Sequence, residues 1–160
     1  LPFNPLMQAP NNITINNALL KGIEPAMADE VHGEIAVIDE RTWSLILPIA
    51  GQHVTNSVFY HPPTEFWKKI DPDGESYSIY NRYQSLYFRL KSLPDPHRHS
   101  IHSPRIDAVV WTMHPKHCNF KKLSAKVLLS PAEHKDSLSK NTSLEYIEGT
   151  DQWSIFKIKN

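Results

Sequence analysis

The chain has 160 residues, of which 40% are hydrophobic and 21% are charged, as expected for a soluble globular protein of about one domain. The longest apolar run, "LILPIA", is far shorter than the roughly 18 residues that a membrane-spanning helix needs, so no transmembrane segment is predicted. The lone cysteine, Cys118, excludes an internal disulfide and favours an intracellular, reducing compartment.

The formal net charge of zero conceals an uneven distribution of charge along the chain. Residues 1–80 contain 4 Lys/Arg against 10 Asp/Glu, whereas residues 81–160 contain 13 against 7. Residues 82–126 are the most basic, with nine Lys/Arg against two Asp. This asymmetry indicates an anionic partner, and the alternative is that folding sets the acidic half against the basic half.

Residues 1–30 contain four prolines and five asparagines and show no periodicity. Proline fixes the backbone and removes a hydrogen-bond donor, and asparagine favours turns, so these residues predict an extended N-terminal arm. The arm is too apolar for a solvated tail, and we expect it to pack on the domain or on another chain. It therefore predicts self-association or a protein partner.

Strand patterns begin after the arm. The segments "HGEIAVID" and "ERTWSLILPIAG" flank a polar turn and predict a β-hairpin, and "HVTNSVFYH" predicts a third strand that two prolines end. Thr64–Ile70 is predicted as a short helix, because an acid lies early and two lysines lie late, as the helix dipole prefers.

The second half of the chain begins with an ambiguous segment, "SYSIYNRYQSLYFRLKSL", for which we predict a helix through Ser85. The segment "PDPHRHSIHSP" reads as a loop bounded by prolines. Strands are predicted at "RIDAVVWTM" and "LSAKVLLS", and a hairpin at "SLEYIEGTDQWSIFKIK" with its turn at residues 149–151. The sequence "SPAE" at residues 130–133 has the form of a capping box and predicts a helix to about Ser139.

These elements predict a mainly β protein, with an α+β arrangement as the alternative. Strand patterns dominate, and no alternating βαβ spacing is present. The fold expected for residues 31–160 is a single antiparallel β-sandwich-like domain with two or three short peripheral helices, preceded by the arm of residues 1–30.

Five of the nine histidines lie within residues 97–117, and the cysteine follows directly. Imidazole and thiolate groups are good zinc ligands, but the recurring zinc spacings are absent. We therefore expect no cofactor and keep zinc as the alternative. The ligands in that alternative are His97, His99, His114, His117 and Cys118.

The same histidines allow an enzymatic hypothesis. Histidine titrates near neutral pH, so two imidazoles placed across a phosphodiester can act as base and acid. The alternative function is thus a histidine-dependent phosphodiesterase or nuclease, with or without zinc. Its catalytic residues would be His99, His102 and His117.

The function that the sequence favours is a non-enzymatic binding or assembly module whose basic, His-rich surface holds an anionic partner, above all nucleic acid. Lysine and arginine neutralise phosphates, and aromatic residues interleaved with them would offer bases a stacking platform. A second alternative is a purely protein-binding structural domain. The predicted anion-binding residues are Arg98, Arg105, His114, Lys116, His117, Lys121 and Lys122.

Overall fold

The computed structural model describes residues 22–23, 34–49, 51–95 and 99–159. Within these ranges the chain forms nine strands, four α-helices and two short 3₁₀ helices. The strands are β1 (Glu34–Val37), β2 (His53–Val54), β3 (Val58–Phe59), β4 (Gln84–Leu90), β5 (Ser100–Arg105), β6 (Ala108–Met113), β7 (Val127–Pro131), β8 (Leu144–Gly149) and β9 (Trp153–Ile158). The helices are α1 (Arg41–Ile49), α2 (Thr64–Ile70), α3 (Tyr77–Tyr80) and α4 (Lys135–Leu138), and the 3₁₀ helices are Phe120–Leu123 and Ala132–His134.

The strands form two mixed sheets, one of five strands in the order β2-β1-β7-β9-β8 and one of four in the order β3-β4-β6-β5. β1 runs parallel to both β2 and β7, and β4 runs parallel to β6, while the remaining pairs are antiparallel. The prediction of a sheet-rich protein is confirmed, but the prediction of purely antiparallel pairing is wrong. Parallel pairing requires long connections, which the spacing of strand patterns does not reveal.

Alternate residues of β1 face two different hydrophobic clusters, as the period of a strand requires. Ala36 and Ile38 belong to a large cluster that also contains Phe88 and Trp111 of the four-stranded sheet, so both sheets share this core. Ile35 and Val37 belong to a second cluster on the opposite side of the five-stranded sheet. Because both faces of β1 are buried, its sequence is almost entirely apolar.

The second cluster is covered by α1, where the sequence predicts the second strand of a hairpin. Trp43 and Leu47, four residues apart on one helix face, pack into this cluster. The helix ends where Gly51 takes a positive φ of 83°, with hydrogen bonds from Gly51 N to Pro48 O and from Gln52 N to Leu47 O, the pattern of a Schellman motif. The hairpin prediction is wrong. The run "LILPIA" is apolar throughout, so it cannot distinguish the strand period of two from the helix period of about 3.6.

Two further segments differ from their predictions. The helix predicted through Ser85 ends at Tyr80, where the Gln84 side chain donates to the Tyr80 carbonyl, and β4 then begins. The predicted histidine loop contains β5, which pairs with β6 along its length. β4 is a central strand and β5 an edge strand of the four-stranded sheet. Pairing with distant strands, rather than the local sequence, therefore decides the conformation of both segments.

The most local predictions are confirmed. The helix Thr64–Ile70 forms as predicted, and so does the hairpin of β8 and β9 around residues 149–151. A helical segment follows residue 131, as the 3₁₀ helix Ala132–His134 and then α4, so the number of α-helices in the described ranges is four rather than two or three. The predicted capping box is wrong, because Ser130 is buried in β7 and its hydroxyl donates to the Pro131 carbonyl.

Most of the predicted arm lies outside the described residues, and the division of the chain at residue 30 stays a prediction. Gly22 and Ile23 are described, and the Ile23 side chain is buried in the second cluster. A Cβ atom at Gly22 would meet the Glu148 carboxylate, so the exposed Glu148 side chain would have to move to accommodate it. In the described ranges, no helix has the length and apolar character that crossing a membrane requires.

Candidate functional site

The connection between β6 and β7 carries five of the seven predicted anion-binding residues. It begins with a turn in which Cys118 N donates to His114 O and Lys116 N donates to His114 Nδ1. The Asn119 side chain then accepts from Lys121 N and begins the 3₁₀ helix Phe120–Leu123. We call this set of residues the basic ridge: His114, Lys116, His117, Lys121 and Lys122.

The 3₁₀ helix orients the lysines of the basic ridge outwards. Phe120 and Leu123, at its two ends, are fully buried in the shared core. Lys121 and Lys122 lie between them and are exposed, as is Lys116 in the preceding turn. The apolar anchors therefore fix a short rigid segment that presents its ammonium groups to solvent.

The buried side chain of Asn141 anchors this connection through hydrogen bonds. Its Nδ2 donates to the carbonyls of Pro115 and Cys118, both at 2.9 Å, and its Oδ1 accepts from the amide and hydroxyl of Ser143. A polar cavity of about 440 Å³ lies between the ridge and this segment. The sequence does not single out Asn141 as a structural residue, since Pro115 and Cys118 lie more than twenty residues away from it.

The charges of the ridge lysines are not neutralised by the rest of the described chain. Within the described ranges, no carboxylate lies within ion-pair distance of Lys116, Lys121 or Lys122. The acidic half also contributes a cation here, because Lys69 Nζ donates to the Ser124 hydroxyl at 2.6 Å. Ser124 directly follows the 3₁₀ helix, so Lys69 extends the ridge.

Burial and nearby cations lower the pKa of two histidines, His114 and His99. The rings of His114 and His117 are 4.8 Å apart. Partial burial lowers the pKa of His114, and the neighbouring His117 and Lys116 lower it further. Burial also lowers the pKa of His99, whose ring lies edge-on to Trp111 at 6.0 Å, and the charge of Lys122 adds to this effect.

The proposed zinc ligands come together only in part. His114 and His117 are adjacent, whereas His97 lies outside the described residues. Burial raises the pKa of the Cys118 thiol to about 12, which disfavours the thiolate that zinc binding and nucleophilic catalysis need. The described part of the chain contains no group of three His, Cys, Asp or Glu side chains placed to hold a metal ion.

The three histidines of the enzymatic hypothesis lie in different parts of the structure. His102 in β5 pairs with Val110, and paired residues of antiparallel strands point to the same face. Trp111, which His99 contacts, points to the opposite face, into the shared core. His102 therefore lies across the sheet from His99, while His117 lies in the ridge.

The remaining predicted binding residues are separate from the ridge. Arg98 lies outside the described residues. Arg105 ends β5 and forms an ion pair with Asp107, with Nε 2.9 Å from Oδ1. Three of the aromatic residues that would offer a stacking platform, Phe88, Trp111 and Phe120, are buried in the shared core.

Arg105 instead borders a second concave site, a cleft of about 360 Å³. We call it the arginine cleft, after three of the side chains that line it: Arg41, Arg89 and Arg105. Arg89 and Arg105 belong to the basic interval of the sequence, but Arg41 comes from the acidic half. No sequence pattern joins the three, since they are brought together by sheet topology alone.

The fold and these sites define a class of protein: a sheet-rich domain of two mixed sheets that carries an exposed cationic loop and a separate arginine-lined cleft. Residues 14–160 match the model of a protein family described as "Domain of unknown function (DUF7654)". The chain belongs to this family. No curated protein and no solved structure matches it significantly.

Proposed function

We propose that the protein is a non-enzymatic binding module that holds a polyanion, specifically nucleic acid, on the basic ridge. The observation that carries the proposal is the exposure of Lys116, Lys121 and Lys122 without an ion-pair partner among the described carboxylates. Cations already paired within the protein would gain little from a phosphate, whereas unpaired ones release counterions from the nucleic acid when they bind.

The spacing of these lysines favours an extended partner over a small anion. Ammonium groups are compact point charges on flexible stems, and they neutralise successive phosphates without a fixed geometry. Lys69 donates to the Ser124 hydroxyl next to the 3₁₀ helix and adds a fourth cation to this surface. A polymer that carries one phosphate per nucleotide can contact several such cations at once.

We infer that the ridge recognises the phosphate backbone rather than the bases. Base recognition on single strands uses exposed aromatic rings, and Phe120, the aromatic residue inside the ridge segment, is fully buried. Contacts to phosphates position a protein on nucleic acid without reading its sequence. Binding is therefore expected to depend weakly on sequence.

The proposal is tested by fluorescence anisotropy with a short labelled DNA duplex. The variant Lys121→Ala/Lys122→Ala should bind about tenfold more weakly than the wild type, because two phosphate contacts are lost. The matched control is Lys135→Ala/Lys157→Ala, which removes the same charge from α4 and β9 and should bind as the wild type does. Equal weakening in both variants, or none in either, would overturn the proposal.

The same oligonucleotide tests the enzymatic alternative. A histidine-dependent phosphodiesterase or nuclease would cleave it, and cleavage would be lost in His117→Gln without loss of fold. Intact oligonucleotide after prolonged incubation supports the binding module. Added zinc that leaves the oligonucleotide intact argues against the zinc-assisted form of this alternative.

We also propose a description of the fold, a mode of assembly and a cellular compartment. The two sheets share one core, which supports a sandwich-like description of the fold. Self-association or a protein partner through the arm is proposed from its apolar composition, and deletion of residues 1–20 should then lower the mass measured by light scattering. An intracellular, reducing compartment is proposed from the single thiol.

A further inference from the structure

The arginine cleft lies where the two sheets meet. Ile38, at the carboxyl end of β1, pairs with Phe88 of β4, and its amide donates to Leu129 of β7. The chain then enters the cleft at Asp39 and continues into α1. In proteins with parallel strands, ligands commonly lie beyond the carboxyl ends of strands where neighbouring chains diverge, and a volume of about 360 Å³ lies within the range of small-molecule sites.

Three arginines from three different elements line this cleft. Arg41 begins α1, Arg89 lies in β4 and Arg105 ends β5. Arg41 lies 5.8 Å from the centre of the Tyr87 ring and, within the described residues, forms no ion pair with a carboxylate. Its charge is therefore available to a ligand.

The other two arginines are only partly neutralised. Arg89 Nε lies 3.6 Å from Asp39 Oδ1, which is too long for a hydrogen bond. Arg105 pairs with Asp107 through Nε, and about half of its side chain remains exposed. A guanidinium group carries five N–H donors, so each arginine keeps donors for an incoming oxyanion.

Each of the two carboxylates that line the cleft also accepts a hydrogen bond from a backbone amide. Asp39 Oδ2 accepts from Leu90 N at 3.0 Å and lies 3.1 Å from His134 Nε2. Glu40 Oε1 accepts from Thr42 N at 2.8 Å and so caps the first turn of α1. The side chains that line the cleft therefore carry three guanidinium groups against two carboxylates, an excess of one positive charge.

The cleft wall is fixed before any ligand binds. Asp39 has a positive φ of 51°. Residues other than glycine rarely adopt this backbone conformation, and surrounding contacts must hold it. Asn56 pairs with both the amide and the carbonyl of Val37, each at 2.8 Å, and closes another side. A rigid wall lowers the conformational entropy that the protein loses when a ligand binds.

We propose that the arginine cleft binds a small phosphate-bearing ligand, with Arg41, Arg89 and Arg105 contacting the phosphate oxygens. Arginine matches the geometry of phosphate with paired donors, which makes a converging set of arginines more selective for phosphate than a set of lysines. The half-buried ring of Tyr87 would border the rest of the ligand. This site is separate from the basic ridge and does not depend on the function proposed for it.

Isothermal titration calorimetry with glucose 6-phosphate, inorganic phosphate and glucose tests the proposal. Saturable binding of glucose 6-phosphate, or of inorganic phosphate alone, supports it, and the two arms distinguish a phosphorylated molecule from free phosphate. Glucose should not bind. Absence of saturable binding in both phosphate arms overturns the proposal.

Variants decide whether the bound phosphate occupies the cleft. Arg41→Ala and Arg105→Ala should each raise the dissociation constant about tenfold, since a charge-assisted contact is lost, and both side chains are exposed enough for the fold to survive. Lys91→Ala, a cation next to β4 outside the cleft, should not change it. Lys121→Ala/Lys122→Ala should also leave it unchanged, and a comparable loss in either control overturns the cleft as the site.

Discussion

His114 should make the affinity of the basic ridge for nucleic acid depend on pH. Burial, His117 and Lys116 all lower the pKa of His114, so its ring is largely neutral at neutral pH and gains a charge only on acidification. A bound polyanion favours the charged ring. We therefore expect the affinity for the DNA duplex to rise as the pH falls from about 7 to about 5.5.

The variant His114→Gln isolates this contribution, because glutamine is neutral at every pH. It should show a smaller rise in affinity on acidification than the wild type in the anisotropy measurement. His61→Gln, which changes an exposed histidine outside the ridge, serves as the control. Identical pH profiles for wild type and His114→Gln would exclude a role for this ring.

We expect the Cys118 thiol to react slowly. Because burial raises its pKa to about 12, the thiolate is scarce, and the folded protein should react with a disulfide reagent at about pH 8 at least a hundredfold more slowly than the protein in denaturant. A comparable rate in both states would show that the thiol is accessible. The test needs only the absorbance of the released reagent.

The same pKa predicts an alkaline loss of stability. A raised folded-state pKa means that the contribution of this group is complete below the pKa of the unfolded thiol, near 9, and is lost as the pH rises towards about 12. The difference in unfolding free energy between wild type and Cys118→Ala should therefore shrink over that interval. A constant difference would contradict the assigned burial.

Asn141 ties two elements together, since its Nδ2 donates two hydrogen bonds to the connection that carries the ridge and its Oδ1 accepts two from Ser143 in its own segment. Asn141→Ala leaves the carbonyls of Pro115 and Cys118 without this donor and should lower the free energy of unfolding by about 2–3 kcal/mol. It should also weaken duplex binding by loosening the turn that carries Lys116. Urea denaturation and anisotropy measure the two effects.

The exposed neighbour Thr142 provides the matched control for this prediction. Thr142→Ala should unfold at the wild-type urea concentration and bind the duplex normally. If Asn141→Ala behaves in the same way, the hydrogen bonds do not position the ridge.

Elements with local signals could be predicted from the sequence. The helix Thr64–Ile70 has its charges arranged along the helix dipole, and the β8–β9 hairpin has polar turn residues between two apolar runs. Neither signal depends on a distant partner. The ridge was also predictable in outline, because Lys116, Lys121 and Lys122 are close in sequence.

Features that depend on distant residues could not be predicted. The parallel pairing of β1 with β7 joins segments about ninety residues apart, and no local pattern encodes it. The helical state of α1 depends on the cluster that Trp43 and Leu47 cover. The arginine cleft likewise needs the two sheets to meet at Ile38 before its arginines can converge.

At the scale of the molecule, the described residues of the acidic half place no carboxylate within ion-pair distance of the ridge lysines. In the described ranges, carboxylates of residues 1–80 meet cations of residues 81–160 at Asp39, which faces Arg89 and His134. That contact belongs to the arginine cleft. The basic interval of the sequence thus forms an exposed cationic surface on the connection between β6 and β7.

The salt dependence of duplex binding tests this account most directly. The logarithm of the association constant should fall linearly with the logarithm of salt concentration, and Lys121→Ala/Lys122→Ala should make the slope shallower by about 1.8, as the loss of two phosphate contacts requires. A wild-type affinity that does not change with salt, or a slope that is the same in the variant, would contradict the account.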